Sequence, residues 1–269
     1  MLAWPFGLPY YIKRGVETCV EVEKTDRYVL LGSCFAQYVG EKMEAQGWDV
    51  TVDPLGTLYN PFSILQLVRA ALEEKAASIP VFPTDGEWRC WWANTTFRTP
   101  SEEETRRLVA DRLALLRHAL EGAQRLIVTL GTNVCYRLRE NGMVVTNCQR
   151  QPDRLFEEYR APLLEVTEAL SQLVQLVREA NPKISVIFTV SPYRYKKYGL
   201  HGSQLSKATL LLAVDETIKA HPDFCHYFPA YEIMMDELRD YRYYAPDGVH
   251  PSPEAVEIIW KRFTESSIP

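Results

Sequence analysis

The chain has no apolar run near the roughly 20 residues that a membrane-spanning helix requires. Its opening stretch, Met1-Leu2-Ala3-Trp4-Pro5-Phe6-Gly7-Leu8-Pro9, is too short and too rich in proline for the apolar centre of a signal peptide. The expectation is a cytoplasmic protein that does not engage a membrane, with those first residues packed as an extended arm. There is also no C-x-x-C pair: Cys19, Cys34, Cys90, Cys135, Cys148 and Cys225 are scattered along the chain. Without an export signal, six thiols are expected rather than three disulfides. Basic runs and RNA-binding signatures are missing, and a net charge of -5 opposes a nucleic-acid partner, whose phosphates demand a basic surface. Gly131-Thr132-Asn133 lacks the Gly-Lys-Ser/Thr continuation of a phosphate-cradling loop. His221, Asp223, Cys225 and His226 fit no common zinc spacing, so neither a metal nor another cofactor is expected. Internal repeats and low-complexity linkers are lacking too, which favours one domain over 1–269.

What is present is an ordinary packed composition, 46% hydrophobic and 24% charged over 269 residues. Strand and helix patterns alternate, which predicts an α/β protein with a mostly parallel sheet covered by helices. Arg27 to Gly32 reads as a buried strand and Phe35 to Gln46 as the helix after it, stopped by Gly47. A second strand spans Trp48 to Val52. Asn60-Pro61 then has cap and first-turn chemistry for a helix through about Leu72. Ser101-Glu102-Glu103-Glu104 opens a helix to about Leu120, and Leu126 to Leu130 is the third strand. A β-hairpin is expected at about 135–147, turning at Asn141-Gly142. After it come a helix from Pro162 to Glu179, a strand from Ile184 to Val190 and a helix from Leu205 to Ala220. A short strand from Cys225 to Phe228 and a closing helix from Pro253 to Phe263 complete the reading. An aromatic-rich insertion at about 80–100 fits no element; its Trp88, Trp91, Trp92 and Phe97 suit either a sugar-stacking surface or a hydrophobic cover.

Ligands of open parallel sheets bind at the carboxyl ends of the strands. The polar, breaker-rich peptides fall at those ends: Gly32-Ser33, Gly56-Thr57, Gly131-Thr132-Asn133 and Ser191-Pro192-Tyr193-Arg194. Near the C-terminus stands Asp247-Gly248-Val249-His250, just ahead of the final helix. A serine at a strand-to-helix turn, with an Asp-x-x-His elsewhere, is the residue set of a serine esterase. Ser33 would attack, His250 would take its proton, and Asp247 would orient the ring. Asn133 and the Gly56 and Ser33 N–H groups would form the oxyanion hole, while Asn60 and Arg194 are candidate substrate contacts. Each residue has a plainer alternative. Ser33 and Asn60 suit helix caps, and Asp247-Gly248 and Asn133 suit turns.

Gly32-Ser33-Cys34-Phe35-Ala36 resembles the name motif of the GSCFA-domain family, which is placed beside the SGNH/GDSL hydrolases. The likeness continues through Tyr59-Asn60-Pro61, Leu205-Ser206-Lys207-Ala208 and Tyr227-Phe228-Pro229-Ala230-Tyr231 to His250-Pro251-Ser252. The resemblance implies a three-layer α/β/α sandwich, SGNH-hydrolase-like and flavodoxin-like, with a Ser–His–Asp site at Ser33, His250 and Asp247. It matches Gly131 and Asn133 to the start of the Gly-x-Asn-Asp block, with Val134 where the second Asp would be. Gln149 and Tyr195 stand where relatives often carry histidines. The expected activity is hydrolysis or transfer of an O-acyl group, an acetyl on a carbohydrate, by an acyl-Ser33 intermediate, with a small-molecule or glycan ester as the substrate. A non-catalytic glycan- or partner-binding module is the competing class, and Cys34 is a lesser candidate nucleophile. The sequence leaves the acyl acceptor and the oligomeric state open.

Overall fold

The computed structural model describes residues 20, 22–73 and 78–265, so the expected N-terminal arm and Cys19 lie outside the described residues. Strand β1 (Arg27–Gly32) runs into helix α1 (Cys34–Ala45), and β2 (Asp49–Val52) follows. Asn60 caps α2 (Pro61–Leu72), its Oδ1 accepting from Ser63 N at 2.9 Å, with Pro61 preset for the first turn. Strands β3 (Val81–Thr84), β4 (Glu87–Cys90) and β5 (Arg98–Thr99) precede α3 (Glu102–Gly122). The Ser101 hydroxyl caps α3 by accepting from Glu104 N at 3.2 Å. Then come β6 (Arg125–Leu130), β7 (Val134–Leu138), β8 (Val144–Val145) and β9 (Phe156–Arg160). Helix α4 (Leu163–Ala180), β10 (Ser185–Val190), α5 (Gly199–Ala220), β11 (Cys225–Tyr227) and α6 (Pro253–Thr264) close the order.

The central sheet is parallel throughout, in the order β11-β10-β6-β1-β2. Apolar side chains leave its strands alternately toward two cores, as a sheet buried on both faces requires. Val29, Leu31, Leu126, Val128, Val186 and Phe188 enter the core under α2, α3, α4 and α5. Tyr28, Leu30, Ile127 and Ile187 enter the second core, with Phe35 and Met43 of α1 and Ile259 and Trp260 of α6. Helices on both faces make the expected three-layer α/β/α sandwich.

The sequence reading differs from the structure at three places. The insertion at 80–100 is not structureless: β3, β4 and β5 form an antiparallel sheet turning at Asp85-Gly86. Its Trp91 stacks on Phe82 at 3.7 Å between centroids, and Trp91 and Trp92 are buried, so these two rings cover the core rather than offer a stacking surface. The hairpin pairs Tyr136 with Val145 as expected, but β9 adds a third strand to it. Helix α5 starts at Gly199 rather than Leu205. The glycines at 199 and 202 lower local helix propensity, and burial of Ser203, Ser206 and Lys207 outweighs that. The five described cysteines are free thiols. No helix among the described residues is long and apolar enough to cross a membrane.

Candidate functional site

The turn from β1 into α1 is fixed by Gly32. Its φ of +148° and its approach to β6 leave no room for a side chain, since a Cβ there would stand 2.2 Å from Thr129 O. Gly32 N donates to Asp53 Oδ1 at 2.8 Å, and Ser33 N donates to Thr129 O at 3.1 Å. Burial pushes the Asp53 carboxyl well above the usual carboxylate range, and its Oδ2 has no partner. Ser33 is delivered at the N-terminus of α1, where its Oγ accepts from Phe35 N at 3.4 Å and the residue is only 2% exposed.

The Asp247–His250 pair is built within one turn. Asp247 Oδ1 accepts from Val249 N at 2.9 Å and His250 N at 3.0 Å, while Oδ2 meets His250 Nδ1 at 2.5 Å. Those hydrogen bonds, from the backbone first, hold the Asp247 carboxyl far below its ordinary value, so it is a carboxylate. With Nδ1 committed, His250 has Nε2 left for a second partner.

Tyr193 joins this turn to the β1–α1 junction. Its ring lies 4.5 Å from that of His250, and Arg194 N donates to Val249 O at 3.1 Å. Burial raises the Tyr193 phenol, and Cys34 and Asp247 both lie close enough to raise it further. The Tyr59 phenol oxygen accepts from Thr57 Oγ1 and meets Cys34 Sγ, each at 3.3 Å, and burial pushes this phenol up to about 12. Tyr195 stacks edge-on against Tyr193, and its buried hydroxyl has no partner. Beneath lies Lys207, whose Nζ donates to Gly131 O and Ser191 O at 2.7 Å each, tying the ends of β6 and β10 together. Sequence reasoning gave Tyr193 and Lys207 no role. The signal for Lys207 was its place on the buried stripe Ser203, Ser206, Lys207, Leu210, Ala213, Val214.

Ser33, Asp247 and His250 thus share one edge of the sheet, but no hydrogen bond joins Ser33 Oγ to His250 among the described residues. The expected oxyanion donors are otherwise engaged. Ser33 N–H is spent on Thr129, and Gly56 N donates to Asp53 O at 2.7 Å. Asn133 turns its amide to Ala161 O at 2.7 Å, in the connection from β9 to α4. Asn60 is the α2 cap, as its plainer reading had it. Arg194 does not reach toward Ser33; its guanidinium lies 4.6 Å over the Tyr244 ring and contacts Met235 Sδ. A groove of about 600 Å³ opens beside His250, walled by Tyr38, Lys42 and Ala45 of α1 and by Pro246 and Pro251. His221, beside Cys225, packs on Phe224, and among the described residues no group of three or more His, Cys, Asp or Glu could hold a metal ion.

The family model described as the GSCFA family matches residues 27–263. Among solved structures, a GDSL-like lipase from Bacteroides thetaiotaomicron is similar at 13% identity and a TM-score of 0.45, over 91% of this chain and 89% of that one. An acetyl xylan esterase from Butyrivibrio proteoclasticus is similar at 12% identity and a TM-score of 0.46, over 91% of this chain and 64% of its own. A carbohydrate esterase family 3 protein from Talaromyces cellulolyticus gives 11% identity and a TM-score of 0.44, over 88% and 94%. No curated protein matches the sequence significantly.

Proposed function

The chain belongs to the GSCFA family, and from that premise we propose that it is a serine esterase or deacylase, removing an O-acyl group, acetyl in the simplest case, from a carbohydrate. The observation that carries the reading is the ionised Asp247 locked onto His250 Nδ1 at 2.5 Å, on the sheet edge where Ser33 opens α1. In the reaction His250 Nε2 takes the Ser33 proton as Oγ bonds to the ester carbonyl carbon. The tetrahedral intermediate collapses, the bond to the sugar oxygen breaks, and His250 returns the proton to that oxygen. Water, or a second hydroxyl in a transferase, then repeats the steps on acyl-Ser33. Asp247 stays ionised and stabilises the imidazolium. The buried, unpartnered Tyr195 hydroxyl is the donor we assign to the developing oxyanion, in place of Asn133 and Gly56. Substrate binding has to bring Ser33 and His250 within hydrogen-bonding reach, because catalytic hydrogen bonds commonly tighten only in the complex.

The engaged donors and the capping role of Ser33 favour a second reading, a non-catalytic glycan-binding module on the same fold. A fluorophosphonate probe followed by mass mapping separates the two. An adduct on Ser33 supports the esterase. Folded protein that takes up no label supports the binding module, and an adduct on Cys34 makes the thiol the nucleophile.

A further inference from the structure

We propose that the hollow bounded by Arg89, Arg98 and Arg150 binds a small tetrahedral oxyanion, a phosphate or sulfate group. It lies on the β3-β4-β5 sheet, holds about 240 Å³, and is lined by those three arginines with Thr95 and Thr96 and by no carboxylate. Arg89 and Arg98 are direct cross-strand partners in β4 and β5. Like charges placed opposite each other on one sheet face destabilise the pair. One carboxylate addresses both: a single oxygen, Glu87 Oε2, stands 3.5 Å from Arg89 Nη2 and 3.5 Å from Arg98 Nη1. Arg150 has no ion pair among the described residues. It reaches the hollow from a backbone with positive φ at two successive non-glycine residues, Gln149 at 52° and Arg150 at 59°.

Arg89 distinguishes this cluster from a solvated basic patch. It is only 6% exposed, and its buried Nε has no hydrogen-bond partner. Its Nη1 donates to Gln149 O at 3.0 Å, which explains one edge of the guanidinium as a structural tie. That tie and the shared Glu87 oxygen leave Arg89 Nε without a partner and Arg150 without an ion pair among the described residues. Guanidinium forks match the oxygens of phosphate and sulfate, and a buried fork is screened little by salt. The concentration of positive charge is local, since the chain as a whole carries -5. The inference does not depend on the esterase reading.

The test is thermal unfolding of the full chain against inorganic phosphate, with sodium chloride at matched ionic strength as the control. At a hundredfold excess over Kd, a one-site ligand should raise Tm by about 5 °C, and the rise should saturate. Arg98→Ala and Arg150→Ala alter exposed side chains, so both should fold, and each should weaken phosphate binding about tenfold or more. Arg154→Ala, exposed but outside the hollow, should bind like the wild type. Glucose 6-phosphate in the same titration identifies the source. Tighter binding than inorganic phosphate assigns the site to an esterified group, and weaker binding assigns it to the free ion. A rise that sodium chloride reproduces, or one that survives unchanged in both arginine variants, overturns the proposal.

Discussion

Replacing Lys207 by methionine should change the pH dependence of stability more than the stability at any one pH. Lys207 is 1% exposed, and its Nζ meets two backbone carbonyls but no carboxylate among the described residues. Burial lowers its pKa from 10.5 to about 7. Between those values the unfolded chain binds a proton that the folded chain does not, so stability rises with pH across that window. The contribution is complete above about 10.5 and is lost as pH falls through 7. At about 1.4 kcal/mol per unit, the whole displacement is worth roughly 5 kcal/mol, of which about 2 kcal/mol falls between pH 7 and 9. Groups with raised values, such as Tyr59 and Cys90, both at about 12, act in the opposite direction on the alkaline side. They are common to both proteins and cancel in the difference. The assay is urea unfolding of wild type and Lys207→Met from pH 6.5 to 9. The wild-type curve minus the variant curve should climb by about 2 kcal/mol from pH 7 to 9, on top of a constant offset for the lost hydrogen bonds. A flat difference would mean that the amine keeps its proton throughout, and the reasoning from burial would be refuted.

With p-nitrophenyl acetate, Ser33→Ala and His250→Ala should each remove nearly all turnover, because members of a triad act as a unit. Undiminished activity in Ser33→Ala would point to Cys34. Gly32→Ala should cost about 3 kcal/mol or more in chemical denaturation, since its Cβ would meet Thr129 O at 2.2 Å on a backbone that disfavours side chains; near-wild-type stability would show that the junction can relax. Asn133→Ala should lose about 1–3 kcal/mol of stability through the orphaned Ala161 carbonyl, with kcat little changed. A large selective fall in kcat would return Asn133 to the oxyanion hole. Tyr195→Phe should instead lower kcat with little change in KM, and an unchanged kcat removes that donor from the mechanism.

Much of the architecture was readable because it rests on local rules. Strand alternation, the Asn60-Pro61 and Ser101 caps and the Asn141-Gly142 turn act over a few residues, and a single chain displays them. The insertion strands were missed because Trp91, which stacks on nearby Phe82, also packs on Phe156, a contact with a distant part of the chain that no local pattern displays. The start of α5 was missed for a related reason, as burial of Ser203 and Lys207 overrides the weak helix preference of Gly199 to Gly202.

For the site, sequence alone determined which loops carry the candidate residues. Residues after parallel strands must emerge at the carboxyl ends, and Asp247 with His250 close on each other within one turn. Only the tertiary structure decided where each donor points. Ser33 N–H, Gly56 N–H and the Asn133 amide all take backbone carbonyls nearby. A buried carbonyl must find a donor wherever the fold supplies one, and that competition is settled by the packing of β6, the Asp53 loop and Ala161. The same holds for Lys207 and the three arginines, whose meaning lies in burial and in neighbours far away along the chain.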